Sequence, residues 1–189
     1  MANGVLLKQG TQIRFSGSGF SPADAATNYT VGTPTDVDLT LSAVATAAGR
    51  QSAKADLGAT RARNYSVFAA VDFTGETPTL GERVDYYWAP SASTTAASAN
   101  IAGNSGLDAA LVDGATTTGI TIDEFIKLCQ PIGSIEVTDD GTVQVGYVGS
   151  FSPQERYGQM IVVNESGDAF EADNVEAAVW MNPIIDEVQ

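Results

Sequence analysis

The chain has 189 residues, 43% of them hydrophobic and 17% charged, which suits one folded domain with a sizeable core and argues against global disorder. A formal charge of −14 disfavours nucleic acid as a partner, and the absence of His removes the Ser-His-Asp and Cys-His constellations and the commonest metal ligand. The single Cys129 precludes an internal disulfide framework, and no apolar run is long enough to cross a membrane.

The charge is uneven along the chain. Residues 1–83 carry seven basic and seven acidic side chains, whereas residues 84–189 carry only Lys127 and Arg156 against 16 acidic ones. An acidic half of this kind serves solubility, or it meets a basic partner, or the Arg50–Arg63 region of a neighbouring copy. The N-terminus has no charged stretch followed by an apolar one, so synthesis in a cytoplasm without a signal peptide is expected.

Taken in order, Val5–Lys8 reads as a strand, and the Gly/Ser-rich stretch that follows makes residues 1–35 an expected N-terminal arm or loop. From residue 36 to 189 a single domain is expected. "DVDLTLSAV" alternates Val37, Leu39, Leu41 and Ala43 with polar residues at the period of a half-buried strand. "RNYSVFAAVDF" (63–73) is apolar on both faces, as in the middle of a sandwich. In "RVDYYWA" the alternation places Tyr86 and Trp88 on one face and Tyr87 on the other. Residues 89–119 are almost entirely Ala, Ser, Thr, Gly and Asn, with Asp108 and Asp113 as the only charges. Neither flanking half supplies a whole sandwich, so this stretch is expected to be one long inter-strand loop and not a linker. Loops of such length without secondary structure are uncommon and tend to be functional or disordered. Ile101, Leu107 and Leu111 are the residues that can pin it to the body.

"TIDEFIKLCQP" carries a capping box, Thr121 with Glu124, and helical spacing of Ile122, Phe125, Ile126 and Cys129. A short helix is expected, with a strand leading into Ile135 as the alternative. "GSIEVTDDGTVQVGYV" reads as a hairpin. A three-residue loop at Asp139-Asp140-Gly141 would set Val137 opposite Val143 and Ile135 opposite Val145, with Gly141 left-handed. Strands at 156–164 and 174–182 complete the set, with Pro183 limiting the last. Together these predict an all-β fold, an antiparallel β-sandwich of about eight strands, jelly-roll-like because the connections are long.

No residue pattern nominates a reaction, and neither a cofactor nor a metal is expected. Cys129 sits among apolar residues with no base nearby in sequence, the setting of a buried structural thiol. Asp139-Asp140 lacks the ligand spacing of a calcium loop. Exposed Tyr86, Tyr87 or Trp88 would be able to stack on sugars, although strand alternation directs some of them into a core.

The combination "VDYYWAPSASTTAASAN", "IGSIEVTDDGTVQVGYVGSFSP", "RYGQMIVVNESGDAF" and the ending "NPIIDEVQ" resembles small virion structural proteins of tailed bacteriophages, over roughly residues 84–189. The resemblance implies a non-enzymatic capsid decoration (cement) protein, located on the virion. Its partners would be the major capsid protein or other virion proteins, and its own copies in a homo-oligomer, with a trimer favoured. A head-fibre, tail or host-adhesion module that binds carbohydrate is the alternative. On this view the candidate interface residues are Leu6, Leu7, Arg14, Phe15 and Phe20 in the N-terminal segment. Around the long loop they are Tyr87, Pro90, Ile101, Leu107 and Leu111.

Overall fold

The computed structural model describes residues 5–21, 28–111 and 119–188. Its strands are β1 (Val5–Gln9), β2 (Ile13–Ser16), β3 (Thr35–Asp38), β4 (Ala48–Gln51), β5 (Ala55–Asp56), β6 (Asn64–Asp72), β7 (Arg83–Ser91), β8 (Ala109–Leu111), β9 (Gln130–Glu136), β10 (Val143–Phe151), β11 (Tyr157–Glu165) and β12 (Ala178–Val188). A short helix, α1 (Ile122–Ile126), precedes β9. The first sheet runs β10-β6-β12-β2-β3 with β1 also on β12, and the second runs β8-β4-β11-β7-β9 with β5 also on β11. Only the β2–β3 pair is parallel among the described residues.

With the short partners β1, β3, β5 and β8 set aside, the sheets reduce to β2-β12-β6-β10 and β4-β11-β7-β9. The chain visits them in the order first, second, first, second, second, first, second, first. That is the doubled Greek key of a jelly roll. The all-β sandwich read from strand alternation is therefore present.

The alternation also sorts the side chains. Val67, Ala69 and Val71 of β6, Val84, Tyr86 and Trp88 of β7, Met160 and Val162 of β11, and Val179 and Met181 of β12 point between the sheets and form the main core. The outward residues of the same strands are covered too. Outside the first sheet Ala70, Ala178 and Trp180 lie under Phe20 and Tyr29. Outside the second, Ala89, Ile161 and Val163 lie under Leu111 and Phe125. The covered outer face of the first sheet explains why residues 63–73, which contain β6, are apolar on both sides.

Four expectations are corrected by the pairing. The N-terminal segment does not stand off as an arm. β1 pairs with Ile184–Val188 and β2 with Ala178–Met181, both on the same side of β12. The strand expected at Val5–Lys8 is present as β1, whereas β2 falls in the stretch expected to be an arm. Pro183 does not end β12 because it occupies the break between β1 and β2. Its carbonyl accepts from Gly10 N at 3.3 Å, so its missing N–H faces the seam where β2 gives way to β1. The strand expected from Val37 onward stops at Asp38, although Leu39 and Leu41 continue into the core.

The fourth correction concerns the hairpin. β9 pairs with β7 in the second sheet and β10 with β6 in the first, so the chain arches from one sheet to the other. Val137 bonds the turn before β7 instead of Val143: its N–H donates to Glu82 O at 2.7 Å, and its carbonyl accepts from Gly81 N at 2.9 Å. The reason is burial. Ile135 and Val137 face the main core, whereas Val143 and Val145 pack against the outer aromatic cluster, so the two pairs never share a face. Gly141 is left-handed as expected, with φ of 69°. Gln144 closes the arch, accepting from Thr138 N at 2.8 Å and donating to Asp139 O.

Candidate interaction surface

The described part of the long excursion between β7 and β9 packs on the outer face of the second sheet. It is less featureless than its composition implies. β7 runs on to Ser91, a single helical turn spans Ile101–Gly103, and β8 adds to the sheet edge against β4. Residues 112–118, Asp113 among them, lie outside the described residues. The helical alternative for residues 120–130 is the one present. Thr121 Oγ1 accepts from Glu124 N at 3.2 Å and Glu124 Oε2 accepts from Thr121 N at 2.9 Å, the reciprocal capping box. α1 presents Phe125 to Ile161, Val163 and Ala89, with Cys129 beside it.

Few side chains in residues 92–100 are able to drive burial, so polar anchors from the sheet hold the loop. Lys54 Nζ donates to Ser91 Oγ at 2.9 Å, Ser93 O at 2.9 Å, Thr95 O at 2.6 Å and Ser98 O at 3.0 Å. Desolvation lowers its pKa from the usual lysine value, while the four oxygens favour the charged form. Gln51 Nε2 donates to Leu107 O at 2.9 Å and to Ser105 Oγ, and buried Gln159 Nε2 donates to Asn104 Oδ1 at 3.0 Å. Asn100 Nδ2 bridges Ala96 O and Asn104 O. At the far end Asp108 accepts from Thr40 N at 3.0 Å and Thr40 Oγ1 at 2.6 Å, and it pairs with Arg50 at 2.9 Å.

The outward side of this loop is made of exposed Ala92, Thr94, Thr95, Ala97, Ser98 and Ala99, with Leu107 at 57% exposure. With Asp108 taken up by Arg50, the surface is small, apolar-to-hydroxyl and without an exposed carboxylate between Ala92 and Leu107. Small side chains let another backbone approach closely, and little side-chain entropy is lost when they are covered.

The ten candidate interface residues separate into groups. Tyr87, Ile101 and Leu111 come together in the cluster beneath the loop, and Pro90 is half-buried on the same strand as Tyr87. Leu111 is buried and belongs to packing, not to an exposed interface, as does Phe15, which is fully enclosed in the main core. Leu107 is the one that stays outward, so it does not pin the loop. Arg14 is engaged within the chain, paired with Asp36 at 2.9 Å and stacked over Phe20 at 4.9 Å, while Phe20 meets Trp180 edge-on. Leu6 and Leu7 are described by backbone alone, as rungs of β1 opposite Glu187 and Asp186.

Tyr86 and Trp88 are fully buried, so neither offers a face to a sugar; Tyr87 is half-buried. An aromatic absent from the sequence-based candidates is Tyr147, 55% exposed at the edge of the first sheet and packed on Phe68 with centroids 5.3 Å apart. The alternation Val143, Val145, Tyr147 marks an outer face, but the expected hairpin register turns that face inward. The anchors Lys54, Gln51 and Gln159 have no local signal, because each lies far in sequence from the loop it holds.

Burial pushes the Cys129 thiol from 9.0 up to about 12, and its Sγ donates to Phe125 O at 3.5 Å, so the nucleophilic thiolate is scarce at neutral pH. Asp139 and Asp140 are exposed in the arch, and among the described residues no three His, Cys, Asp or Glu side chains are grouped to hold a metal. Comparison with protein-family models, with curated proteins and with solved structures finds no match.

Proposed function

We propose that this chain is a non-enzymatic structural protein of a bacteriophage virion, a capsid decoration protein that docks on the shell and on copies of itself. The observation that carries this reading is the loop from Ala92 to Leu107. It is long, held in one shape from beneath by Lys54, Gln51, Gln159 and Arg50, and presents an uncharged surface of small side chains on an otherwise acidic molecule. Such a surface suits burial against a flat partner, where affinity comes from complementary area and not from a pocket. The double-sheet architecture agrees with the reading, since capsid and lectin domains both use it.

The test is a gel of purified particles with band intensity compared against the major capsid protein. A decoration protein is present in near-stoichiometric amount with the shell subunit, whereas a fibre or tail component is present in a few copies. Leu107→Glu together with Ala97→Glu should abolish binding to stripped particles while leaving the melting temperature unchanged. Undiminished binding by this variant would overturn the loop as the docking surface. A glycan array tests the carbohydrate alternative, and binding lost in Tyr87→Ala would replace the present reading.

A further inference from the structure

The segment Ala92–Ala99 faces an energetic difficulty. Ordering costs about 1–2 kcal/mol per residue in backbone entropy, and this segment, Ala-Ser-Thr-Thr-Ala-Ala-Ser-Ala-Asn as far as Asn100, has no large apolar side chain to bury in return. What it has is carbonyl groups, and three of them converge on one cation. Lys54 Nζ sits 2.6–3.0 Å from Ser93 O, Thr95 O and Ser98 O, with Ser91 Oγ as the fourth oxygen. Ser91 Oγ also donates toward Ala99 O at 3.1 Å and accepts from Ser93 N at 3.4 Å, so it ties both ends of the segment to the same point. Lys54 lies between β4 and β5, and its backbone N–H donates to Gly106 O at 3.1 Å, which ties the later part of the same loop to this position.

We propose that Lys54 is a partly buried cation that templates the Ala92–Ala99 loop, a positioning residue that sets the shape of the docking face without touching the partner. The functional consequence rests on the reading of the loop as a docking surface; the structural one does not. Hydrogen bonds to a charged donor are the strong ones, and removing the ammonium leaves three converging carbonyls to be rehydrated by opening the loop. The oxygen cage matches a cation of ammonium size, so free ammonium or potassium is the chemistry that substitutes for the side chain, as rings of carbonyls do in ion filters.

The experiment uses Lys54→Met in the full chain, with pancreatic elastase, which cleaves after small residues, and mass spectrometry to locate the nicks. Cleavage within 92–99 should accelerate at least tenfold relative to wild type at a temperature where both remain folded. Molar ammonium or potassium chloride should restore much of the protection, and lithium chloride at equal concentration should not. Lys54→Arg keeps the charge and should fall between. Equal nicking rates in wild type and Lys54→Met would overturn the proposal. If Lys54→Met does not fold, Lys54→Gln is read in the same way, with intermediate nicking expected and wild-type rates again contrary. Particle binding is measured in parallel: Lys54→Met should bind at least tenfold more weakly. Failure of wild type to bind particles sinks the docking reading alone, while the elastase rates still decide the role of Lys54.

Discussion

At Gly158 the absence of a side chain is a packing requirement. A Cβ there would lie 2.4 Å from the Trp88 indole, which is itself held by Phe15 and Phe151 at centroid distances of 6.3 and 5.7 Å. Gly158→Ala should therefore cost about 2–3 kcal/mol through overpacking, with the melting temperature falling by roughly 5–10 °C for a chain of this size. Calorimetry decides it. Cys129 supplies a second residue-level expectation. Its thiol is held neutral by burial, with the folded value near 12 above the ordinary 9.0. Between these values the unfolded chain has released the proton and the folded one has not, so this group's contribution is intact below pH 9 and is lost as pH rises toward 12. A thiol reagent at about pH 8 should leave native protein unmodified and react fully in denaturant. That Trp88 and Tyr86 share one face and Tyr87 takes the other was legible from strand alternation; which face turns inward was settled by the packing of the two sheets. The need for glycine at 158 was not legible, because it depends on an indole from a neighbouring strand.

Among the elements, α1 shows how much a short local signal is able to carry. Five residues make a marginal helix on their own, and the capping box with one buried Phe125 holds it against the sheet. Thr121→Ala should cost about 1 kcal/mol and raise the alkylation rate of the adjacent Cys129, which reports opening of this corner without global unfolding. The arch between β9 and β10 was only half legible. Its turn chemistry was readable, and Gly141→Val should cost about 1–2 kcal/mol because Gly141 is left-handed; an unchanged melting temperature would contradict that. Its pairing was not readable, since alternation tells that Val137 and Val143 each face an apolar layer but not that those layers lie on opposite sides of a sheet. β1 was legible as a strand, but β2 was hidden for a related reason. It is too short to show a period, and the place of both in the sheet is set by their shared partner β12, at the other end of the chain.

For the molecule as a whole, topology redistributes the charge that the sequence shows as an acidic second half. The turns after β6, β9 and β11 meet at one end, joined by bonds such as Thr79 N to Ser166 O at 2.7 Å and Glu171 N to Asp72 O at 2.9 Å. They bring Glu76, Glu82, Asp139, Asp140, Asp168, Glu171 and Asp173 together, while Arg14, Arg50, Arg83 and Arg156 are each occupied by an aspartate. Self-repulsion at that end should make the fold more stable as salt rises from roughly 0.01 to 0.5 M, by a few degrees of melting temperature, because screening shortens from about 30 Å to a few ångströms. A melting temperature that falls with salt would place the charge effect elsewhere. The sheet borders carry a different consequence. β3 displays Asp36 and Asp38, β8 is three residues long, β9 contains Pro131, and β10 is broken by an irregularity between Tyr147 and Gly149. Each device denies an incoming strand a clean ladder. A protein made almost entirely of strands can thereby be crowded at high local concentration, copy beside copy, without stitching itself into fibres.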